Sequence, residues 1–345
     1  MDASTLPIKR NWMEPVKTEK PSKSPLSKKR APKASLFHQE WWLQVTSGGR
    51  FSEIKIEEGN TVVARLPFIT TQRFGFTILK MPPFTHILGP TVDCGDGKYQ
   101  TLLKNRVKFT KQLVETLPKY DYFTQIFDPS IDDGMALADG LAFQECGFRV
   151  ATQHTFRIDC RRKLDVLFGE LNLKSRQHVR LAEKVYTVIP VYEANTFAEF
   201  YQRSLAVKNL KSNIPLERFA SLYLECRARD CGQILAVVDA KGAPVAMTFL
   251  VWDESTMYYL LSARASDMPD KGSVNLLIWT AITKAHELGL NFDLDGVSTA
   301  GTAQFLAGFG GALSTRMTVA HARPLYSTLQ HFGRIFGIGN TSTYS

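Results

Sequence analysis

Several things this sequence does not contain narrow its chemistry before any motif is considered. Its five cysteines (Cys94, Cys146, Cys160, Cys226, Cys231) form no C-x-x-C pair, and their odd number argues against a disulfide framework. The seven histidines show no metal-ligand spacing with cysteines or acids. No run of about 18 apolar residues is available to span a membrane, and no apolar h-region marks a secretory signal. A serine nucleophile would sit in G-x-S-x-G, which "GVSTAG" does not supply. Residues 296–302, "GVSTAGT", have the frame of a phosphate-binding Walker A loop but lack its lysine. These absences lead to the expectation of a cytoplasmic, reduced protein that holds no metal and no tightly bound cofactor.

Charge is present but unevenly placed. The 345 residues carry a net charge of +9, of which +6 falls in residues 1–35. That segment, rich in Pro, Lys and Ser, has almost nothing apolar to bury and is expected to be a disordered tail. It reads as a tether to anionic membrane or nucleic acid, or as a solubilising extension. Residues 331–345 are expected to form a second flexible tail.

Between the tails, two stretches share one order of elements. An aromatic-rich helix candidate, "LFHQEWWLQV" (36–45), precedes the first. Strands over 53–56 and 61–69 make a hairpin, 74–81 a third strand, and 99–117 a helix with Leu102, Leu103, Val107, Leu113 and Leu117 near one face. A strand over 120–128, a helix over 135–146 and a strand over 148–159 close this half. The second half opens with a basic helix (171–184) and helices near 196–208 and 216–229. It then repeats the hairpin (233–252), third strand (256–265), long helix (273–289) and strand (291–295), and ends in a late strand (315–324). In the long helix Val274, Leu277, Ile278, Ala281, Ile282, Ala285 and Leu288 recur at helical spacing and are assigned to the core. A shift of 183 residues places Gly59 on Gly242 and Phe76 on Tyr259. The expected fold is α/β (α+β), with two tandem units at 36–165 and 166–330, each a mixed, mainly antiparallel sheet covered by helices.

Four segments then resemble a known family. "LNLKSRQHVRLAEK" (171–184), "GQILAVVDAKGAPVAMTFLV" (232–251), "LGLNFDLDG" (288–296) and "FLAGFGG" (305–311) resemble, in order, segments of the tandem GNAT-fold acyltransferases of the FemABX-like and CelD-like group. The resemblance implies two GNAT-like units, with the donor site in the second. Two positions depart from the family pattern. Asp295-Gly296 stands for its G-G, and Leu306 stands where aminoacyl-transferring members carry a lysine that stabilises the oxyanion. A leucine offers neither charge nor hydrogen bond, which shifts the expected donor from aminoacyl-tRNA toward acyl-CoA.

The resemblance also locates candidate residues. A donor pyrophosphate would be received at the start of the long helix, by Lys271, Gly272, Ser273 and Val274, although the Q/R-x-x-G-x-G/A pattern of CoA-binding relatives is missing. Lys174, Arg176 and Arg180 of the basic helix are expected to bind an anionic acceptor, the two arginines sharing a face four residues apart. Asp293 and Asp295 alternate along one strand, so one is a candidate base toward the acceptor amine; capping of the following turn is the competing role. Tyr259 is a candidate acid toward a leaving thiolate, with core packing as its alternative.

The function expected from these readings is acyl transfer, by acetyl-CoA or another acyl-CoA, onto an amine or hydroxyl of a cell-envelope or exopolysaccharide-related saccharide. Aminoacyl transfer from charged tRNA to a peptidoglycan precursor is the enzymatic alternative. A non-catalytic protein gripping nucleic acid or anionic membrane through its basic tail and basic helix is the alternative of another class.

Overall fold

The computed structural model describes residues 34–328, apart from 133, 211, 213, 266–269 and 298. The expected tails, at 1–35 up to residue 33 and at 331–345, lie outside the described residues. Past a 3-10 turn at Leu36–His38, the first half runs α1 (Glu40–Ser47), β1 (Phe51–Glu58), β2 (Thr61–Arg73), β3 (Phe76–Lys80), β4 (Thr91–Val92), α2 (Tyr99–Glu115), β5 (Tyr122–Phe127), α3 (Leu137–Glu145) and β6 (Arg149–Asp159). The second half runs α4 (Leu164–Glu170), α5 (Leu173–Ala182), β7 (Thr187–Val191), α6 (Ala194–Val207), α7 (Phe219–Ala228), β8 (Gly232–Val238), β9 (Pro244–Trp252), β10 (Thr256–Arg264), α8 (Ser273–Glu287), β11 (Asn291–Asp293), α9 (Ala300–Ala307) and β12 (Ala312–Ala322).

The twelve strands among the described residues join one sheet, ordered β1-β2-β3-β5-β12-β6-β11-β10-β9-β8-β7, with β4 added to β2. The expected repetition is visible in it. Each half has a hairpin, a third strand, a long helix and a strand parallel to the third, β3 beside β5 and β10 beside β11. The other pairings are antiparallel. The last strand of each half, however, crosses over. β6 pairs with β11 of the second half, β12 pairs with β5 of the first, and the two exchanged strands pair with each other over nine residue positions. The sheet therefore passes unbroken from one half to the other.

Four short elements escape a pattern-based reading: β4, α4, β7 and α9. β7 is an edge strand containing Pro190, where a missing ladder donor costs nothing. α9 replaces the turns expected from its glycines; the Thr299 side chain accepts a hydrogen bond from the Thr302 amide and caps its start. The face of α2 also differs from expectation. Its buried residues are Arg106, Phe109, Thr110, Leu113 and Val114, while Leu102, Leu103 and Val107 are half-buried. Arg106 is drawn inward by Asp139 of α3, which it meets at 2.8 and 2.7 Å, and Thr110 adds a 2.6 Å hydrogen bond to the same carboxylate. On α8 the assigned core holds from Leu277 to Ala285, while Leu288, beyond the last turn, is 41% exposed.

The two halves differ in what fills the gap beyond their parallel strands. In the first, the chain after β3 folds back into it: Ile87 and Leu88 are fully buried, and the Leu88 amide donates to Ile126 O at 2.6 Å. His38 clamps this segment. Its Nδ1 accepts from the Ser35 amide at 3.3 Å, and its Nε2 lies 3.3 Å from Gly89 O. Burial, with Arg65 nearby, lowers the His38 pKa to about 3. The folded state therefore keeps this imidazole neutral, while the unfolded chain takes up a proton below about pH 6.5. Stability contributed by neutral His38 is complete above that value and is lost as pH falls toward 3. Urea titrations between pH 7 and 4.5 should show stability falling with pH, and the slope should diminish by about one proton in His38→Gln. An unchanged slope would contradict the buried neutral state.

Candidate active site

β10 and β11 stay paired only through Tyr258 and Asp293. Beyond that point β10 continues to Arg264, whereas β11 ends, and the chain from β10 re-enters as α8. Gly272 makes the entry, with a φ of +94°. A Cβ there would approach His178 O to 2.7 Å, so the absence of a side chain lets α5 lie against the start of α8. A cavity of about 700 Å³ opens where α5, α8 and α9 converge. Lys174, Ser175 and His178 line it from α5, Gln304 and Phe305 from α9, Arg264 from the end of β10, Asp270 and Gly272 from the β10–α8 connection, and Val274 and Asn275 from α8. His178 Nδ1 is 3.3 Å from Asn275 Oδ1, which links the two helices across one wall.

The proposed donor-binding residues separate into distinct roles. Gly272 and Val274 line the cavity, Ser273 is buried, and Lys271 is exposed with its amide 3.3 Å from the Tyr186 hydroxyl. Sequence reasoning did not find Asp270. Its Oδ1 accepts from the Gly272 amide at 3.1 Å and the Ser273 amide at 2.8 Å, so a carboxylate already lies on the amides at the start of α8. Arg264 Nη1 stands 3.9 Å from its other oxygen.

The basic helix also divides. Lys174 and His178, one turn apart, face the cavity. Arg176 and Arg180 do not line it: Arg176 donates to Gly169 O at 2.7 Å, and Arg180 lies 5.4 Å over the Phe168 ring. The shared face read from their spacing is real, but it packs on α4. Tyr259 is half-buried, its ring edge-on to Phe292, and burial raises its hydroxyl to about 12.

Asp293 and Asp295 belong to a cluster of charges where β5, β12, β6 and β11 meet. Asp293 is fully buried; Arg157 Nε reaches it at 2.9 Å, Arg316 Nη2 at 3.0 Å and Thr155 Oγ1 at 2.5 Å. Asp295 takes Arg316 on one oxygen and His86 Nδ1, at 2.7 Å, on the other. Arg157 and Arg316 also face Asp128 at the end of β5, and Arg157 bonds Ser130. Burial by itself would push both Asp293 and Asp295 upward. Arg316 with Arg157, and His86 with Arg316, overcome it and hold each carboxyl below the usual carboxylate range. A general base needs a carboxylate free to take a proton near neutrality. This pair is held ionised by its partners, an ion-paired arrangement at the residues expected to supply the base. Arg157, Arg316, His86 and Asp128 escaped the sequence because their partners lie on four different strands and loops.

Residues 160–303 match the family model described as an acetyltransferase (GNAT) domain. Over that span, which is less than half of the chain, the sequence is similar to GNAT acetyltransferases. The matched span begins at Cys160, directly after β6, takes in most of the cavity's lining and ends inside α9. Over the whole chain the fold is similar to that of FemX, with a TM-score of 0.65, 15% identity and coverage of 87% of this chain and 96% of that one. It is also similar to the C-terminal domain of a putative lysylphosphatidylglycerol synthetase from Agrobacterium fabrum (TM-score 0.53, 14% identity, 86% and 92% coverage). A conserved protein of unknown function from Bacteroides thetaiotaomicron gives 0.50, 12%, 81% and 91%. At such identities the likeness is one of fold. No curated protein matches the sequence significantly. The match supports a transferase, and the likeness of fold to FemX extends over both halves.

Replacing Arg316 by Met leaves Asp293 and Asp295 without their shared guanidinium. Urea unfolding of Arg316→Met at pH 7 should show a loss of about 3–5 kcal/mol, as for a broken buried pair. Because both aspartates are held low, their contribution is complete above about pH 4, the unfolded value, and is lost as pH falls through the depressed values. The variant should accordingly unfold at a higher pH on acidification than the native chain. A loss below about 1 kcal/mol would show that the cluster is not a stabilising unit.

Proposed function

We propose that the protein transfers an acyl group from an acyl-CoA, lodged in the cavity between α5, α8 and α9, to an amine or hydroxyl of a cell-envelope or exopolysaccharide-related saccharide. The observation that carries this reading is the cavity of about 700 Å³ at the start of α8, lined mostly by the span similar to GNAT acetyltransferases, with Lys174, His178 and Arg264 on its walls. Its size suits a cofactor-sized ligand, and helix amides with flanking cations suit a diphosphate. The acceptor class rests on the family resemblance.

In the reaction the acceptor nitrogen or oxygen attacks the thioester carbonyl, the C–S bond breaks, and the thiolate leaves with CoA. Asp293 and Asp295 are engaged by guanidiniums, so the chain's contribution is mainly placement of a neutral nucleophile against the carbonyl. Leu306, at the position of the relatives' lysine, is buried in the core from α9 and supplies no charge to an oxyanion. That favours acyl-CoA. One observation favours the second reading, aminoacyl transfer from charged tRNA: the Asp270 carboxylate occupies amides that a diphosphate would use.

Thermal unfolding with acetyl-CoA, CoA or buffer separates the two. Acetyl-CoA at about a hundredfold excess over its Kd should stabilise the native chain by about 2.7 kcal/mol, read as a rise in Tm of several degrees. Asp270→Asn keeps a capping oxygen and removes the charge, so it should tighten acetyl-CoA about fivefold. Lys174→Ala should weaken it by a similar factor. No shift in either the native chain or Asp270→Asn would overturn the acyl-CoA reading, and release of amino acid from charged tRNA would then be the assay for the second.

A further inference from the structure

The turn between β2 and β3 is made by Phe74 and Gly75 alone, at φ +50° and +80°. Two consecutive left-handed residues in a two-residue hairpin form the type I′ geometry, which favours Asn-Gly because a bulky side chain at the first position is strained. Phe74 accepts that strain and gains no core contact in return: it is 87% exposed, and Arg73 lies 5.4 Å from its ring. A large apolar side chain held in strained backbone at a protruding tip points to an external partner.

The surroundings of the tip define the partner. β3 and β5 are parallel and begin at the same end of the sheet, where β12 finishes. Phe76, next to the turn, packs edge-on to Tyr326, which stacks on Tyr122. Leu325, beside Tyr326, is 67% exposed. Arg73, Lys119 and Arg323 are exposed around this end. The acid among them, Asp121, uses its carboxylate on the Thr77 amide, and its backbone oxygen takes the Arg323 amide.

From this arrangement we infer that the β2–β3 tip is a membrane-docking surface, in which Phe74 enters the interfacial zone of an anionic bilayer while Arg73, Lys119 and Arg323 meet its headgroups. Aromatic rings favour the membrane–water interface, and each basic residue at an anionic surface adds to the attraction. A protein partner fits less well. A projecting hairpin tip offers far less than the roughly 800 Å² that each side of a stable protein interface buries. The docking surface is independent of the donor cavity, which lies in the other half of the sheet, and of the donor's identity.

The test is co-sedimentation of the full chain with phosphatidylcholine vesicles, with and without about one-third phosphatidylglycerol, for the native sequence and Phe74→Asn. Asn relieves the turn, so the variant's Tm should equal or exceed that of the native chain, while its affinity for the anionic vesicles falls about fivefold. Phe74→Trp should gain fluorescence that bromine-labelled lipid quenches. Four results would overturn the proposal: no native binding to anionic vesicles, equal binding by Phe74→Asn, a lowered Tm for that variant, or a Phe74-dependent pellet without vesicles, which would assign the tip to a protein contact.

Discussion

The fold depends on a set of buried charges at the middle of its sheet. Asp128, Asp293 and Asp295 meet Arg157, Arg316 and His86 at the point where β6 and β12 have changed places between the halves. Each guanidinium touches carboxylates from both halves: Arg157 joins Asp128 to Asp293, and Arg316 reaches Asp128, Asp293 and Asp295. Ions removed from water are tolerated only with close partners and satisfied hydrogen bonds. This arrangement therefore penalises any slip in the register of four strands. A one-residue shift of β12 would turn Arg316 to the opposite face of the sheet and strand the acids it joins.

That constraint bears on function through geometry. β11 carries Asp293 at its last position and leads through Asp295 toward α9, one wall of the cavity. β10 is held beside β11 and leads through the β10–α8 connection to the opposite wall. Fixing β11 against β6 and β12 thus fixes where the cleft begins. The two halves have diverged at this same place. The first closes the gap beyond its parallel strands with its own residues around Ile87 and Leu88, and the second leaves a cavity.

Much of the fold was legible because it rests on local pattern. The hairpins, the long helices and the repeated order follow from alternation, helical spacing and turn residues. What was not legible has a common cause, buried polar partnership between distant residues. The buried face of α2 is misjudged because Arg106 looks like a surface residue until Asp139 is brought to it. Asp293 and Asp295 look like free acids on one face of a strand until Arg316 arrives from a segment beyond α9. Arg176 and Arg180 do share a face, but spacing does not say that α4 covers it. At the site, the glycine-bounded start of α8 could be found from sequence, whereas the Asp270 carboxylate on its amides depends on a loop conformation that spacing does not encode. The F-G-G near the end is a packing signature, since a Cβ on Gly310 would lie 2.7 Å from Glu170 Cβ.

Strand exchange joined by buried ions makes one prediction about the whole chain: its halves open together. Native-state hydrogen exchange followed by mass spectrometry tests this directly, by comparing peptides from β5 and β12 with peptides from β6 and β11 as urea is raised. The account predicts that all four strands lose protection at one free energy with the same dependence on urea. Separate openings, with β11 and β10 exchanging well before β5 and β3, would show two independent units and contradict it.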